Sequence, residues 1–176
     1  MPKIGYFLAS EEFGPSELLR QARMAEEAGF EALWISDHYH PWTEAQGKSP
    51  FVWPVIGGLS QATSLPVTTG VTYPTVRIHP AIIAQAAATS AVMLEGRFVL
   101  GVGSGENLNE HILGDRWPPT DVRLEMLEEA VDVMRLLLKG VRGATMASTT
   151  PSRTPVSTPC PRSPRPFMSP DLAPRR

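Results

Sequence analysis

An α/β fold, laid out as the N-terminal half of a (β/α)8 barrel with a disordered tail behind it, is what this sequence predicts, and three observations predict it. First, short β-branched or aromatic runs alternate with amphipathic or Ala-rich helices at a period of roughly 30 residues, which favours parallel strands joined by helical crossovers. Second, successive strands deliver polar residues to one rim: Asp37, His38 and Trp42 after the second, Thr68 to Tyr73 at the end of the third, and Ser104, Gly105 and Glu106 after the fourth. A barrel collects its chemistry at that end, whereas a doubly wound sheet binds at a switch point. Third, the composition breaks at residue 141. Residues 141–176 hold six Arg, one Asp and neither Lys nor Glu, a balance of +5 against −7 for residues 1–140. That tail is rich in Pro, Ser and Thr and lacks any helical or strand period, so disorder is expected there. A full barrel takes about 250 residues, and only four of its eight units are recognisable.

Each element follows in order. Lys3 to Ala9 reads as the first strand. Pro15 and Ser16 open a helix with Leu18, Leu19, Ala22 and Ala25 facing inward, and Gly29 supplies its left-handed stop. The run from Phe30 to Ile35 is the second strand, followed by a helix from about Phe51 to Ala62. The third strand spans roughly Val67 to Tyr73, and Pro80, tolerated in a first helical turn, starts a helix to about Met93. RFVLGVG is the fourth strand. After a loop at 104–119, a helix from Thr120 to Lys139 places Leu124, Leu127, Val131, Met134 and Leu138 on one face, and Gly140 ends it.

Composition sets bounds on function. The 42% apolar content supports one globular domain with a core, residues 1–140. Cys160 is the single cysteine, so neither an internal disulfide nor a thiolate metal site is expected. The apolar stretch IGYFLA is too brief for a signal h-region or a membrane span, so a soluble, cytoplasmic protein is expected, with no membrane partner. The tail arginines lack an aromatic platform or a folded basic face, which argues against nucleic acid.

Two motifs hold the candidate chemistry. WISDHYHPW runs from a buried strand straight into an acid, two histidines and a tryptophan. His38 titrates near neutrality and suits removal of a proton from a hydroxyl as hydride leaves the same carbon. Trp42 would supply an apolar wall and a face for a developing cation. A strand-end turn capped by Asp37 with surface histidines is the alternative. GVGSGENLNE looks like a dinucleotide fingerprint, but Glu106 occupies the third glycine's place and the next clear helix is expected only at Thr120. Gly101, Gly103 and Gly105 would instead let the backbone approach a flat ligand that Glu106 reaches. A flexible loop with a solvated glutamate stands beside that reading. His79, before Pro80, suits a capping role, and His40 could be exposed.

Taken together in their order and spacing, AEEAGFEALWISDHYHPW, VTYPTVRIHPAIIAQAAATSAVMLEGRFVLGVGSGENLNE, the WPP loop and the helix after it resemble the luciferase-like flavin and deazaflavin oxidoreductases, in the branch of the coenzyme F420-dependent glucose-6-phosphate dehydrogenases. The resemblance extends from the N-terminus to about Gly140. It implies hydride transfer between an alcohol or sugar-phosphate-like small molecule and F420, with FMN as the alternative cofactor. It makes His38 the base, with Trp42 beside it, Glu106 a proton donor to the reduced cofactor, and Asp37, Ser104, Gly105 and Glu106 cofactor contacts. It also implies a non-prolyl cis peptide, a bulge against the cofactor, near Gly70 and Val71. The full-length family is expected to be homodimeric; His40 is absent from its pattern.

Two alternatives remain. His38-x-His40 with a strand-end carboxylate could ligate zinc in a metal-dependent hydrolase, although later strands usually complete such sites; no metal site is assigned. The other is a non-catalytic barrel fragment, since the family's substrate-phosphate groups come from its second half. Read back into codons and shifted by two bases, residues 143–174 permit Asn-Ala-Arg-Val-Tyr-Thr-Leu-Pro from Arg153 and end on Ile-Tyr-Val-Ala-Gly-Ser-Gly-Pro, the words the resemblance would place there. A frameshift near residues 139–143 is therefore expected. A four-strand half-barrel with two open edges should aggregate or self-associate.

Overall fold

Four strands, all parallel and in the order β1-β2-β3-β4, form one sheet in the computed structural model, which describes residues 3–139. The expected stop at Gly140, Cys160 and the whole 141–176 tail lie outside the described residues. The strands are β1 (Gly5–Leu8), β2 (Ala32–Ile35), β3 (Val67–Thr69) and β4 (Phe98–Val99). The crossovers are α1 (Pro15–Glu27), α2 (Val52–Ala62) and α3 (Pro80–Met93); α4 (Asn107–Glu110), a 3-10 turn (His111–Leu113) and α5 (Thr120–Leu138) follow β4. This is the partial barrel that the alternation predicted.

Period-two alternation decides which face is buried. Leu8, Leu33, Ile35 and Val67 point one way and pack with Leu18, Ala22, Ile56 and Leu59 of α1 and α2 into the main core. The opposite face carries the paired row Phe7, Trp34, Thr68 and Val99, in which Trp34 is 51% exposed. Gly29 has φ +87 and ends α1 as expected. His79 caps α3, its Nδ1 accepting from the Ala81 N–H at 3.1 Å.

Three expectations need correction. The strands are shorter than their apolar runs, most of all at the third and fourth. The β3 ladder ends at Thr69, the Gly70–Val71 peptide is cis, and the chain rejoins its neighbour only at the Thr72↔Val102 bridge. Between these points a side chain replaces the ladder: the Thr69 hydroxyl donates to the Gly101 carbonyl (2.9 Å) and accepts from the Gly101 N–H (3.0 Å). The segment 104–119 is not all loop, because α4 begins at Asn107, directly after Glu106. The dinucleotide comparison therefore fails on the missing third glycine and on a helix of four residues, not on a distant helix. Finally, α5 buries Ala130 and Met134, and Val131 packs beside them against Ile83 of α3, while Leu124 and Leu138 are exposed. Only the middle of this long helix crosses α3, so the outer positions of its apolar stripe overhang.

Candidate functional site at the strand ends

Because all four strands are parallel, their C-terminal ends lie on one rim, and the polar residues just beyond them meet there. Past β1, Glu11 is buried. Its Oε2 accepts from the Ser36 hydroxyl at 2.9 Å and its Oε1 contacts His38 Nδ1. Ser36 is itself fixed by Ser10, whose N–H donates to Ser36 Oγ and whose hydroxyl donates to the Ser36 carbonyl, both at 3.0 Å. Burial pushes the Glu11 carboxyl up, but bonds from His38 and Ser36 outweigh it and hold the group below its ordinary range. Burial in turn pushes His38 down, while the Glu11 carboxylate, with Glu106 and Asp37 nearby, raises its proton affinity above the ordinary value. With Nδ1 engaged, Nε2 is the ring nitrogen left for a substrate. The Trp42 ring stands edge-on to His38, centroids 5.2 Å apart.

Asp37 lies deeper than a surface cap. Its Oδ2 accepts from the Thr72 hydroxyl at 2.8 Å and its Oδ1 from Arg77 Nη2 at 3.0 Å. Arg77 Nε lies 3.8 Å from Glu110 Oε2, so α4 joins the same cluster. Asn109 Oδ1 accepts from the backbone N–H groups of Tyr39 (2.8 Å) and His40 (2.9 Å), tying α4 to the loop after β2. His40 stacks on His111, centroids 5.4 Å apart. Among the described residues, no group of three His, Cys, Asp or Glu side chains could hold a metal ion.

Glu106, the expected proton donor, is exposed beside the rim, whereas Glu110 is buried. Burial, with Asp37 and Glu106 adding to it against the pull of Arg77 and His38, pushes the Glu110 carboxyl up to about 7. The glycines of GVGSG serve the chain's own packing. A Cβ at Gly101 would overlap the Thr69 carbonyl oxygen, one at Gly103 would meet Val71 Cγ2 at 2.6 Å, and one at Gly105 (φ +73) would meet the Tyr73 ring at 2.8 Å. Arg123 clamps the same loop from α5, donating to the carbonyls of Ser104 (3.1 Å) and Gly105 (3.3 Å) while lying 4.7 Å over the Trp117 ring.

The structure thus brings Asp37, His38, Trp42, Gly70, Val71, Ser104, Gly105 and Glu106 to one end of the sheet. Gly70 lies against the exposed face of Trp34, where an added Cβ would sit 3.1 Å from the indole, and Val71 is exposed beside it. A flat apolar bed bordered by carboxylates, hydroxyls and an imidazole is a fit for a planar redox ring. Glu11, Ser36, Arg77, Asn109 and Glu110 were missed, whereas Thr72 lies in the Thr68 to Tyr73 stretch expected at the rim. Glu11 carried a signal, since an acid just past the first strand obeys the same rim rule; the pairing of Arg77 with Asp37 did not.

Comparison with known proteins agrees with this geometry. The chain is 45% identical over 141 residues to an F420-dependent glucose-6-phosphate dehydrogenase of Microbacterium testaceum (strain StLB037), covering 80% of this chain and 42% of the relative. The protein of that name from Nakamurella multipartita is likewise 45% identical over 141 residues, with the same coverage. Among solved structures, an F420-dependent secondary alcohol dehydrogenase in complex with an F420-acetone adduct superposes with a TM-score of 0.76 at 41% identity, over 78% of this chain and 42% of that one. The oxygenating constituent of 3,6-diketocamphane monooxygenase from Pseudomonas putida, in complex with FMN, shares the fold at 19% identity (TM-score 0.60; 75% of this chain, 38% of that one). The chain therefore spans about two-fifths of the length of the curated relatives it matches. A family model described as luciferase-like monooxygenase matches residues 2–170, and to that family this chain belongs.

Proposed function

We propose that this chain carries the N-terminal half of the active site of an F420-dependent oxidoreductase that moves hydride between an alcohol or sugar-phosphate-like substrate and the deazaflavin. The observation that carries the reading is the setting of His38: Nδ1 held by buried Glu11, ring edge-on to Trp42, at the end of a strand whose neighbours supply a flat apolar bed. The activities of the similar dehydrogenases point to the same chemistry. When bound, F420 would supply a ring carbon that accepts hydride.

In this reading Trp34, Gly70 and Val71 would bear the ring's face, and Asp37, Ser104, Gly105 and Glu106 would lie at its edges. As the substrate C–H bond gives up hydride and the alcohol becomes a carbonyl, the hydroxyl proton passes to His38 Nε2. Glu11 stabilises the imidazolium that results. Trp42 walls the substrate side and excludes water, and exposed Glu106 is placed to exchange a proton with solvent. Titration of the purified chain with F420, followed by absorbance and fluorescence, tests the reading: saturable one-to-one binding supports it, and no response refutes it. A parallel titration with FMN separates the two cofactors.

A second reading, a non-catalytic barrel fragment, is favoured by the exposed row Phe7, Trp34 and Val99. A frameshift near residues 139–143 would account for such a fragment, and resequencing the locus tests it. In that case the polypeptide self-associates through its open face, whereas a full-length form is a homodimer. A cytoplasmic location is supported by the single cysteine, and among the described residues no helix is long and apolar enough to cross a membrane.

A further inference from the structure

The short helix α4 is docked by polar groups. Its two buried residues are Asn109 and Glu110, and its one apolar side chain, Leu108, is exposed. Apolar burial, which fixes most helices in place, contributes little here. The partners of those buried groups lie on other elements. Asn109 accepts from two backbone N–H groups of the loop after β2, and Glu110 faces Arg77 from the segment after β3.

Arg77 is itself buried, its side chain 7% exposed, between two carboxylates still more buried than it is. On one side Nη2 donates to Asp37 Oδ1 at 3.0 Å and to the Asp37 carbonyl at 3.2 Å, while Thr72 fills the other Asp37 oxygen. On the other side Nε stands 3.8 Å from Glu110 Oε2, too far for a hydrogen bond, and neither atom has another partner. That contact is Coulombic, in a setting where water screens little. Among the described residues, Arg77 is the one cation paired with either acid by Lys or Arg. Asp37 precedes His38 in the chain, and α4 starts immediately after Glu106, so one guanidinium spans the two segments that carry the proposed base and the proposed proton donor.

We propose that Arg77 is a positioning residue: gripping Asp37 and facing Glu110, it holds the His38 loop and the Glu106 segment in one fixed relation, so the rim is set before a planar ligand arrives. The residue type matters. One guanidinium nitrogen, Nη2, reaches a carboxylate oxygen and the backbone carbonyl of Asp37 while a second, Nε, faces Glu110, an arrangement of separate donors in one plane that a lysine's point charge cannot reproduce. The functional readout of this proposal rests on the F420 reading above, but its structural readout does not.

The test uses the full 176-residue chain with Arg77→Lys, Arg77→Met, Glu110→Gln and the Arg77→Met/Glu110→Gln double variant. Arg77→Lys is expected to leave the thermal midpoint within a few degrees and to weaken F420 binding by about tenfold or more, because orientation rather than charge is lost. Arg77→Met leaves Asp37 and Glu110 without the guanidinium that faces both, and adding Glu110→Gln removes one of the two buried acids, so the double variant should recover several-fold of the affinity that Arg77→Met loses. Amide exchange gives the independent readout: Arg77→Lys should speed exchange at Tyr39, His40, Asn109 and Glu110 and leave β1 to β3 unchanged. Wild-type affinity in Arg77→Lys, or exchange unchanged or raised uniformly across the sheet, overturns the proposal. If the parent chain binds no F420, the cofactor reading fails while the exchange pattern still decides whether Arg77 positions the rim; if Arg77→Met does not fold, Arg77→Lys and Glu110→Gln carry the same decision.

Discussion

Glu11, just past the end of β1, contacts His38 Nδ1 just past the end of β2, so a buried acid and a half-buried base from neighbouring parallel strands form one pair. The contact raises the proton affinity of His38 in spite of its burial, which makes the imidazole a stronger base and orients its other nitrogen outward. Glu11→Gln keeps the hydrogen-bonding shape and removes the charge. The His38 titration, read by NMR of the imidazole carbons, should then move to lower pH, because the carboxylate that favours the imidazolium is gone. An unchanged or upward-shifted titration would mean that Glu11 does not set the state of this histidine.

Glu110 links stability to pH in the opposite sense from most carboxylates. Its folded pKa, about 7, lies above the ordinary 4.5, so the folded chain holds a proton that the unfolded chain releases. Its contribution is fully present below the unfolded value and is lost as pH rises through the folded one. The difference amounts to roughly 3 kcal/mol across that window. Urea denaturation at pH 5 and pH 7.5 should show wild type losing stability relative to Glu110→Gln at the higher pH. A constant difference between the two proteins would rule the linkage out.

The row Phe7, Trp34 and Val99 leaves large apolar side chains in water on the sheet face away from α1 and α2. Contiguous patches of this kind mark association surfaces. Sedimentation of the purified chain is expected to show concentration-dependent self-association, and Phe7→Lys with Val99→Lys should shift it toward the monomer. A cooperatively melting, monodisperse wild-type monomer would contradict this.

Gly105 and Gly14 offer a matched pair. Alanine at Gly105 meets both an unfavourable backbone (φ +73) and the Tyr73 ring, whereas nothing lies within 4 Å of a Cβ at Gly14. Gly105→Ala should therefore cost about 1–3 kcal/mol in thermal or chemical unfolding and disturb the loop bearing Glu106, while Gly14→Ala stays within about 0.5 kcal/mol of wild type. Equal effects at the two positions would show that the Tyr73 contact is not what the glycine serves.

The helices α1, α2 and α3 were legible because local signals coincide: Pro15 and Pro80 at their starts, an inward apolar stripe, and Gly29 after α1. The strand ends were not, because a side chain from one strand, Thr69, takes over the hydrogen bonds of the next, and no alternation pattern encodes that substitution. The short helix α4 escaped notice for a related reason. Its buried positions are polar, so it has no apolar period to detect. At the site, residues contiguous with a strand end, such as Asp37 and His38, could be placed on the rim from topology alone. Their partners Glu11, Arg77 and Glu110 depend on pairings across separate βα units.

Among the described residues, the parallel run of β1 to β4 leaves a first and a last strand that each lack a neighbour on one side, with unspent N–H and C=O groups pointing in complementary directions. A tandem gene encoding residues 3–139 twice would present eight like-oriented strands, the ring number of a (β/α)8 fold. In such a duplicate, the acid–imidazole pair would recur on opposite sides of a single mouth, giving engineers a symmetric vessel from one repeated module.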